Sequence, residues 1–513
     1  MGKSRTSSTH VELERKFDVP DDAVTPSFHG LAAIARVETV KIQSLEAVYY
    51  DTPGHDLSAR KVTLRRRTGG SDAGWHVKLP GNAVHPEART EVQSPLQPDV
   101  PDELRDVVLA IIRDRPLLPV ARINNTREVT ALIGTDDAVA AEFCDDRVSA
   151  CRLGPDGSAV DEQTWREWEL EVTDTGATDA GALLNRLTNR VLDAGGVPSD
   201  HGSKLAKTLG DTAPSPAADL SDPVHQAVAE QIERLLVCDR AVREDAPDSV
   251  HQMRVTTRQI RSLLQASGDD FGLSEDAWIL GELRELAAVL GIARDAEVLA
   301  ERYREALAAL PPGLVRGPVA ERLVEGTQRR YQAGLRRSLG AMRSARYFRL
   351  LDALEQVSAT PPPPPDSGVE HTTIASSYRK VRKTVKAARR ADKVAVAARA
   401  ADADNAGELA IERDHALHRI RKAAKRLRYV AEATGDTAVG KQSKLIQTLL
   451  GEHQDSVVSR EHLLAESEAA HAAGEDTFTY GVLYQREADL ALRCEEQLPA
   501  ALKALRRSVR KAL

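Results

Sequence analysis

Hydrophobic and polar positions follow two different periods along the 513-residue chain, and the change of period falls near residue 220. Up to about residue 175 they alternate with a period of two, which is typical of β-strands. Residues rich in Gly, Pro, Asn and Asp connect these segments, as expected for turns. Eight mostly antiparallel strands are enough to close a small barrel. The predicted strands are 11–18, 44–51, 60–68, 74–80, 88–93, 122–134, 138–149 and 164–174.

Helical periodicity takes over almost completely from residue 223 onward. The segment 211–221 is rich in Pro, Ala and Asp and has no period, which predicts an interdomain linker. We therefore predict an α+β multidomain chain, with an eight-stranded antiparallel barrel at residues 8–210 and an all-α domain at 222–513. Helices within the first domain are predicted at 100–114, 179–195 and about 200–209.

The helical half contains an internal repeat. HQMRVTTRQIR at 251–261 and HRIRKAAKRLR at 418–428 share the pattern His-x-x-Arg-x-x-x-basic-x-x-Arg, and a Leu-Gly-x-x-x-Asp element follows each of them. An ordered pair of elements repeated in this way predicts a duplicated helical bundle. The run Pro361–Pro365 cannot continue a helix, so it should separate the two copies, at about 222–358 and 368–513.

Composition argues against disulfide-rich, zinc–thiolate, membrane and secreted proteins. Residues 1–220 hold 25 Lys and Arg against 35 Asp and Glu, whereas the rest of the chain holds 45 against 42. The four cysteines form no Cys-x-x-Cys pair, which argues against a disulfide framework or a zinc–thiolate site. The sequence has no apolar run of about 18 residues, so no membrane span is predicted. The N-terminus lacks the apolar core of a secretion signal. We expect a cytoplasmic protein.

Charged side chains occupy one face of several predicted strands. Glu12, Glu14 and Lys16 share a face because strand side chains alternate, and the same holds for Glu169 and Glu171. On a single strand this pattern is typical of a solvated face. Here the opposite faces carry Trp, Leu, Val and Phe, so a barrel closed with its apolar face outward would have a charged interior. Carboxylates together with Arg and Lys suit an anion bound with a divalent cation.

The order of these motifs resembles the CYTH superfamily, the triphosphate tunnel metalloenzymes. The resemblance covers residues 8–210 and is carried by VELERKF at 11–17, with its ExExK motif, and by later elements in the expected order. It implies an eight-stranded antiparallel tunnel and Mg²⁺ or Mn²⁺ as cofactor. The later elements are Leu64-Arg65-x-Arg67, Lys78, Arg89-x-Glu91 and Glu169-x-Glu171.

The resemblance also implies a role for each matching residue. The metal would be held by Glu12, Glu14, Glu169, Glu171 and one acidic residue of AEFCDD; we choose Asp145, with Glu142 and Asp146 as alternatives. Phosphate would be bound by Lys16, Arg65, Arg67, Lys78, Arg89, Arg127 and, on a short closing helix, Lys204. Catalysis would depend on Glu12, Glu14 and Lys16.

The expected activity is metal-dependent hydrolysis of inorganic triphosphate, or of a related short polyphosphate or organic triphosphate. Phosphoryl transfer needs charge neutralisation more than a covalent catalyst, which fits the motifs. The same motifs leave two alternatives open. One is an adenylate cyclase of the class IV type, and the other is a non-catalytic polyphosphate-binding or granule-associated protein.

Basic residues form a stripe on each of the repeated helices. Steps of three and four residues place four positions of each motif on one helix face. Such a run is often only a solvated face, but stacked cations are unfavourable without a counterion, and the arrangement occurs twice. Sparse aromatics, with only Tyr378 and Tyr429 nearby, argue against nucleic acid. A third basic cluster runs through 379–393.

The twin stripes resemble the CHAD domain, a conserved-histidine α-helical module, over about residues 222–513. This resemblance implies binding of inorganic polyphosphate, and with it an association with polyphosphate granules. It leaves open whether the histidines contact phosphate, bind metal or orient neighbouring groups, and the sequence carries no signal of oligomeric state. The polyphosphate-binding residues would be His251, Arg254, Arg258, Arg261, His418, Arg421, Lys422, Lys425 and Arg428.

Overall fold

The chain forms two compact units, Met1–Ala217 and Ala218–Leu513, in a computed structural model. The structure describes residues 8–81, 88–172, 180–210, 223–266, 271–274, 277–359 and 373–513. The predicted linker at 211–221 and the run Pro361–Pro365 lie outside the described residues.

Eight antiparallel strands close into a barrel in the first unit, which confirms the predicted fold class. The strand order is β5-β4-β3-β2-β6-β7-β8-β1, and pairing of β1 with β5 closes the sheet. The two-residue strand β9, Val197–Pro198, extends the edge of β1. The barrel strands are β1 Ser8–Val19, β2 Arg36–Asp51, β3 Thr63–Thr68, β4 Gly74–Leu79, β5 Ala88–Pro95, β6 Leu118–Ile133, β7 Val139–Leu153 and β8 Ala159–Val172.

Strand β2 begins at Arg36, eight residues before its predicted start. The strand pairs with β6 along almost its whole length, from Arg36 opposite Ile133 to Asp51 opposite Leu118. Strand β6 is correspondingly long. The extra residues of β2 are therefore ordered by tertiary pairing, which a short alternating window does not reveal.

Helices cover the apolar outer faces of several strands. Phe17, Phe143 and Trp168 pack with Leu184 and Leu187 of α3. Helix α2 packs against β4 and β5 with Leu104, Val108 and Ile112 buried. Because α3 buries the outer faces of β1, β7 and β8, the charged residues Glu14, Asp146 and Glu169 of these strands lie toward the interior. The helices of this unit are α1 Asp56–Ala59, α2 Asp102–Ile112, α3 Ala180–Asp193 and α4 Lys204–Leu209.

Helix α4 fills one end of the barrel interior. Its Leu205 and Leu209 pack against Ile123 and Val148, which lie on the interior faces of β6 and β7. The side chain of Ser203 caps the helix by accepting a hydrogen bond from the amide of Ala206. The helix thus brings its first residue, Lys204, into the interior.

The second unit contains nine α-helices within the described residues. Helices α6 and α7 carry the first copy of the repeated motif pair, and α11 and α12 carry the second. Helices α6 and α11 pack against each other, so the two copies meet at their basic stripes. The helices are α5 Pro223–Arg243, α6 Ser249–Ala266, α7 Trp278–Ala308, α8 Gly326–Ala341, α9 Ala345–Ala359, α10 Ile374–Ala400, α11 Ala406–Ala433, α12 Thr437–Ala472 and α13 Phe478–Ala512.

Apolar stretches in the helices are short. Throughout the part of the chain that the structure describes, no helix offers an apolar segment that could cross a bilayer. All four cysteines, Cys144, Cys151, Cys238 and Cys494, are buried and free.

Candidate functional site

The interior of the barrel is lined by cations and carboxylates from opposite strands. Glu14 and Lys16 of β1 lie directly opposite Glu171 and Glu169 of β8. Lys16 Nζ is 2.9 Å from Glu14 Oε1 and 3.1 Å from Glu169 Oε1. The ExExK strand and the late Glu-x-Glu strand are therefore neighbours, and their charged faces form one surface.

A second group of cations reaches the same carboxylates from β4 and β5. Lys78 Nζ lies 2.6 Å from Glu12 Oε2 and 3.5 Å from Glu14 Oε2. Arg89 Nε lies 3.5 Å from Glu14 Oε1. Glu14 thus has three cations, from three different strands, within ion-pairing distance.

A compact cluster surrounds Asp146 near the helix that closes the barrel. Arg127 donates hydrogen bonds to both carboxylate oxygens of Asp146, at 2.8 and 2.6 Å, and also contacts Glu169. Lys204 Nζ lies 2.8 Å from Asp146, 2.7 Å from Glu167 and 2.8 Å from Glu169. The carboxylates hold both cations toward the interior.

The choice of Asp145 as an interior carboxylate needs correction. Asp145 lies opposite Trp168 on the outer face, and its carboxylate accepts hydrogen bonds from Arg166 at 2.9 and 2.6 Å. Asp146 lies opposite Glu167 and is fully buried inside. The alternation of β7 decides this, because Phe143 packs outward and positions 143 and 145 share a face.

Arg65 and Arg67 of β3 also lie inside the barrel. Arg65 Nη2 is 3.2 Å from Glu91, and Arg67 is paired with Asp72. The interior residues to which the sequence assigns no role are His10, Asp72, His76, Glu91 and Glu167, whereas Asp146 is one of the alternatives to Asp145. The sequence could have identified Glu91 and Glu167, because they share a strand face with Arg89 and Glu169, respectively.

Most interior carboxylates are held in their ionised form. Burial raises the pKa of Glu14, but Lys16 and Lys78 outweigh it and bring the pKa down to about 2. Burial likewise opposes ionisation of Glu169, yet Lys16 and Lys204 hold its pKa well below the usual range. Burial would also lower the pKa of Lys204, but the carboxylates around it keep that pKa well above the usual value.

Glu171 differs from its neighbours. Among the residues that the structure describes, no basic nitrogen lies within ion-pairing distance of its carboxylate. Burial, together with the charge of Glu12, raises the pKa of Glu171 to about 7. It stands directly opposite Glu14, and facing carboxylates repel each other unless a cation lies between them.

The interior therefore fits a hard divalent cation. Glu12, Glu14 and Glu171 offer carboxylate oxygens at the place where lysine and arginine do not neutralise all of them. The groups whose ligand atoms lie within 4.8 Å of one another are two other sets among the described residues, and such oxygen-rich sets suit Mg²⁺ or Mn²⁺. These groups are His10, Glu12 and Glu91, and Asp146, Glu167 and Glu169.

In the helical unit, a cleft of about 630 Å³ lies where the two repeats meet. Six of the nine predicted residues line it, and Arg294, Arg302 and His415 join them from positions outside the repeated motif. Asp295 and Asp455 are its acidic side chains, so six Lys and Arg face two carboxylates. The predicted residues in the cleft are His251, Arg254, Arg258, His418, Arg421 and Lys425.

Three predicted residues do not line the cleft. Arg261 donates a hydrogen bond to the backbone carbonyl of Leu280, and Arg428 donates one to the side chain of Gln447. Lys422 is exposed on α11. The basic stripes therefore extend beyond the cleft. Arg261 and Arg428, the last residue of each motif, contact neighbouring helices instead.

The Leu-Gly-x-x-x-Asp elements position the two repeated arginines. A Cβ atom at Gly291 would lie 3.3 Å from Arg254 Nη2, and one at Gly451 would lie 3.2 Å from Arg421 Nη2. The guanidinium groups thus rest against the helix surface at the glycines. Arg254 is also paired with Asp295 at 3.0 Å. Each repeat therefore contributes one arginine that packs against the glycine of its Leu-Gly-x-x-x-Asp element.

Two family models and two curated relatives match this chain. The CYTH domain model matches residues 10–182, and the CHAD domain model matches residues 226–464. Uncharacterized proteins MT2285 and Rv2226, from two strains of Mycobacterium tuberculosis, are each 57% identical over 523 residues, covering 98% of both chains. This chain belongs to the CYTH–CHAD family. CYTH domains occur in metal-dependent enzymes that act on phosphate compounds.

Solved structures resemble each half of this CYTH–CHAD protein. The CHAD domain of the plant Ricinus communis is 23% identical, covers 57% of this chain and 95% of its own, and gives a TM-score of 0.39. HpAC1 from Hippeastrum, described as having a dominant triphosphatase activity, is 15% identical. It covers 40% of this chain and 97% of its own, with a TM-score of 0.25.

The CHAD cleft carries uncompensated positive charge. Burial, reinforced by Arg258 and Arg421, lowers the pKa of Lys425 to about 6. Burial, reinforced by Arg254 and Arg421, lowers the pKa of Arg258 to about 10. Burial, with Lys422 and Arg421 nearby, lowers the pKa of His418 to about 4. Burial and, after it, repulsion among the neighbouring cations both disfavour the charged forms, and a bound anion would favour them.

Proposed function

We propose that the CYTH tunnel hydrolyses inorganic triphosphate, or a related short polyphosphate or organic triphosphate, with Mg²⁺ or Mn²⁺. The observation that supports this most strongly is the enclosed interior in which Glu14 and Glu171 face each other beside a ring of Lys and Arg. Cations alone would suit any anion. The unpaired carboxylate adds a place for a metal, which polyphosphate oxygens also bind.

Each interior group has a task in this proposal. Glu12, Glu14 and Glu171 would hold the cation. When bound, the metal would neutralise charge on the transferred phosphoryl group and polarise its phosphorus. Lys16 is fixed by Glu14 and Glu169, Lys78 by Glu12, and Arg127 by Asp146, so these cations can receive phosphate oxygens without large rearrangement. Arg65, Arg67, Arg89 and Lys204 complete the set of phosphate-binding cations.

The CHAD cleft would bind polyphosphate, and this would retain the enzyme near its polymer, in the cytoplasm and at polyphosphate granules. The support is the convergence of Arg254, Arg258, Arg421 and Lys425 from two repeats on one cleft, with depressed pKa values for Arg258 and Lys425. A chain of phosphates offers dense negative charge and no bases. That matches a cleft rich in guanidinium groups and poor in aromatic rings.

A phosphate-release panel tests the tunnel. Inorganic triphosphate, long polyphosphate, ATP and thiamine triphosphate are each incubated with Mg²⁺ and with Mn²⁺, and products are separated by ion exchange. We expect metal-dependent release from triphosphate, lost in Glu14→Gln although the variant folds. Cyclic AMP as the main product from ATP would favour the cyclase instead, and full activity of Glu14→Gln would refute the proposed site.

A binding titration tests the cleft. Replacing Arg254, Arg258, Arg421 and Lys425 with Ala should abolish the binding of short polyphosphate in EDTA, where hydrolysis stops. The control replaces four exposed arginines of α8 and α9, Arg329, Arg336, Arg337 and Arg349, and should bind like the wild type. Tight binding by the cleft variant would refute this part of the proposal.

A further inference from the structure

Helix α10 exposes cations over its whole outer half. Ser377, Val381, Ala388 and Ala395 form its buried stripe, and the basic residues lie on the remaining surface. All of them are exposed, and none lines the cleft between the repeats. These residues are Arg379, Lys380, Arg382, Lys383, Lys386, Arg389, Arg390 and Lys393.

The last turns of α13, a helix that shares a core with α10, are also basic on their exposed side. Leu498, Leu505 and Val509 of α13 pack in one core with Val381 and Ala388 of α10, so the two helices are anchored side by side. The basic residues of α13 lie on the surface away from that core and are exposed. They are Lys503, Arg506, Arg507, Arg510 and Lys511. These five and the eight on α10 are termed the outer basic face.

No acidic side chain balances this charge locally. Residues 374–391 and 497–513 contain no Asp or Glu, and Asp392, which follows on α10, is paired with Arg413. Within the described parts of the chain, no cation of the outer basic face takes part in an ion pair. Stacked like charges destabilise a helix, so a face of this kind is best explained by an external polyanion.

We infer that the outer basic face binds the part of a long polyphosphate chain that the CHAD cleft cannot hold, an inference that rests on the proposed function. The cations from 379 to 393 extend over about 21 Å of helix, too far for a small anion to contact together. The face is exposed and encloses nothing, so it can follow a flexible chain without selecting one length.

Other polyanions fit the face less well. Between residues 374 and 393 and between 497 and 512, none of the described large apolar side chains is exposed. Val394, Val396 and Leu513 are exposed just beyond these segments, but they do not form the continuous apolar face that a membrane-binding helix inserts. Tyr378, only partly buried, is the one aromatic residue in these two segments, so there is no platform on which unpaired bases could stack. Recognition of charge alone remains, which is what a phosphate chain without bases requires.

Polyphosphates of different length distinguish binding by the outer basic face from binding by the cleft. Five face residues, Lys383, Lys386, Arg390, Arg507 and Arg510, are changed together to Gln, which keeps helix propensity. The matched control removes five exposed arginines from α8, α9 and the turn between them: Arg329, Arg336, Arg337, Arg343 and Arg349. A cleft variant carries Arg258→Gln and Arg421→Gln. Circular dichroism and thermal unfolding establish that each variant folds.

Affinity is measured in EDTA for a short polyphosphate of about ten phosphates and a long one of about a hundred, over a range of salt. We expect the face variant to bind the short chain within about twofold of wild type and the long chain at least tenfold more weakly. Its dependence of log Kd on log salt should be shallower by about 3, since roughly 0.7 counterions are released per cation.

Three results would overturn the inference. The face variant could bind long chains like the wild type, or the control variant could lose as much affinity. Alternatively, duplex DNA could bind the wild type more tightly than long polyphosphate and lose that binding in the face variant, which would make nucleic acid the partner. Loss confined to the face variant, with the cleft variant unaffected for both lengths, would instead support the face and refute the cleft.

Discussion

Two neighbouring aspartates on β7 offer the sharpest test of which face of the barrel carries the chemistry. Asp146 is fully buried and binds Arg127 and Lys204, whereas Asp145 lies on the outer face with Arg166. The substitutions Asp146→Asn and Asp145→Asn each remove one charge and change almost no volume. Each variant is therefore the control for the other.

Stability should fall in both variants, and by unequal amounts. Asp146→Asn removes three charged contacts, but Arg127 and Lys204 keep Glu169, so we expect a loss of about 3 kcal/mol in the free energy of unfolding. Asp145→Asn should cost about 1–2 kcal/mol, because Arg166 keeps two backbone carbonyl partners. Urea unfolding measures both values.

The stability cost should not depend on pH in the neutral range. The pKa of Asp146 lies below its ordinary value of 3.8, because Arg127 and Lys204 outweigh the effect of burial. A carboxylate with a depressed pKa contributes its stability above the unfolded pKa and loses it only as pH falls through the folded value. The difference between wild type and Asp146→Asn should thus be constant from pH 5 to pH 8.

Turnover separates the two faces. Asp146→Asn should lower kcat for triphosphate about 10- to 100-fold, equivalent to about 1.4–2.8 kcal/mol, because Arg127 and Lys204 lose the carboxylate that positions them. Its KM should not rise, since the interior becomes more positive. Asp145→Asn should keep kcat within about twofold. Equal losses in both variants, or none in Asp146→Asn, would refute this placement.

Three further predictions concern glycine, lysine and glutamate positions. Gly291→Ala and Gly451→Ala should weaken polyphosphate binding several-fold, because the added methyl displaces a guanidinium group, whereas Gly281→Ala on the same helix as Gly291 meets no atom within 4 Å and should leave Kd unchanged. Lys425 has a folded pKa of about 6 against an ordinary 10.5, so the ligand-free protein loses stability as pH falls between these values, and Lys425→Met should raise the unfolding midpoint at pH 7. Calorimetry in buffers of different ionisation enthalpy should show proton uptake on polyphosphate binding in wild type and less in Lys425→Met. Glu171→Gln should lose the rise in Tm that Mg²⁺ or Mn²⁺ gives the wild type; an equal rise in both proteins would exclude Glu171 as a ligand.

The closed barrel with a charged interior could be predicted from sequence because strand alternation fixes faces. Glu12, Glu14 and Lys16 must share a face wherever β1 lies, and apolar residues such as Phe17 must take the other. The prediction of Asp145 as an interior ligand is wrong because two adjacent aspartates leave the register of the strand open. Phe143, two positions before Asp145, carried the signal that would have decided it.

The helical half shows where sequence reasoning stops. Periodicity placed Arg254 and Arg258 on one face with Arg261, and the structure brings only the first two into the cleft. Arg261 meets the start of α7 instead, and no pattern on α6 reports where a neighbouring helix crosses it. Likewise, Arg294 and Arg302 line the cleft from α7 without belonging to the repeated motif.

Phosphorus NMR of inorganic triphosphate with the intact protein tests the central claim most directly. With Mg²⁺ or Mn²⁺ we predict that triphosphate disappears while pyrophosphate and orthophosphate appear in equal amounts. Neither product should form with EDTA or with Glu14→Gln. Triphosphate that remains intact with either metal, or that disappears equally fast with Glu14→Gln, would contradict the assignment of hydrolysis to the tunnel.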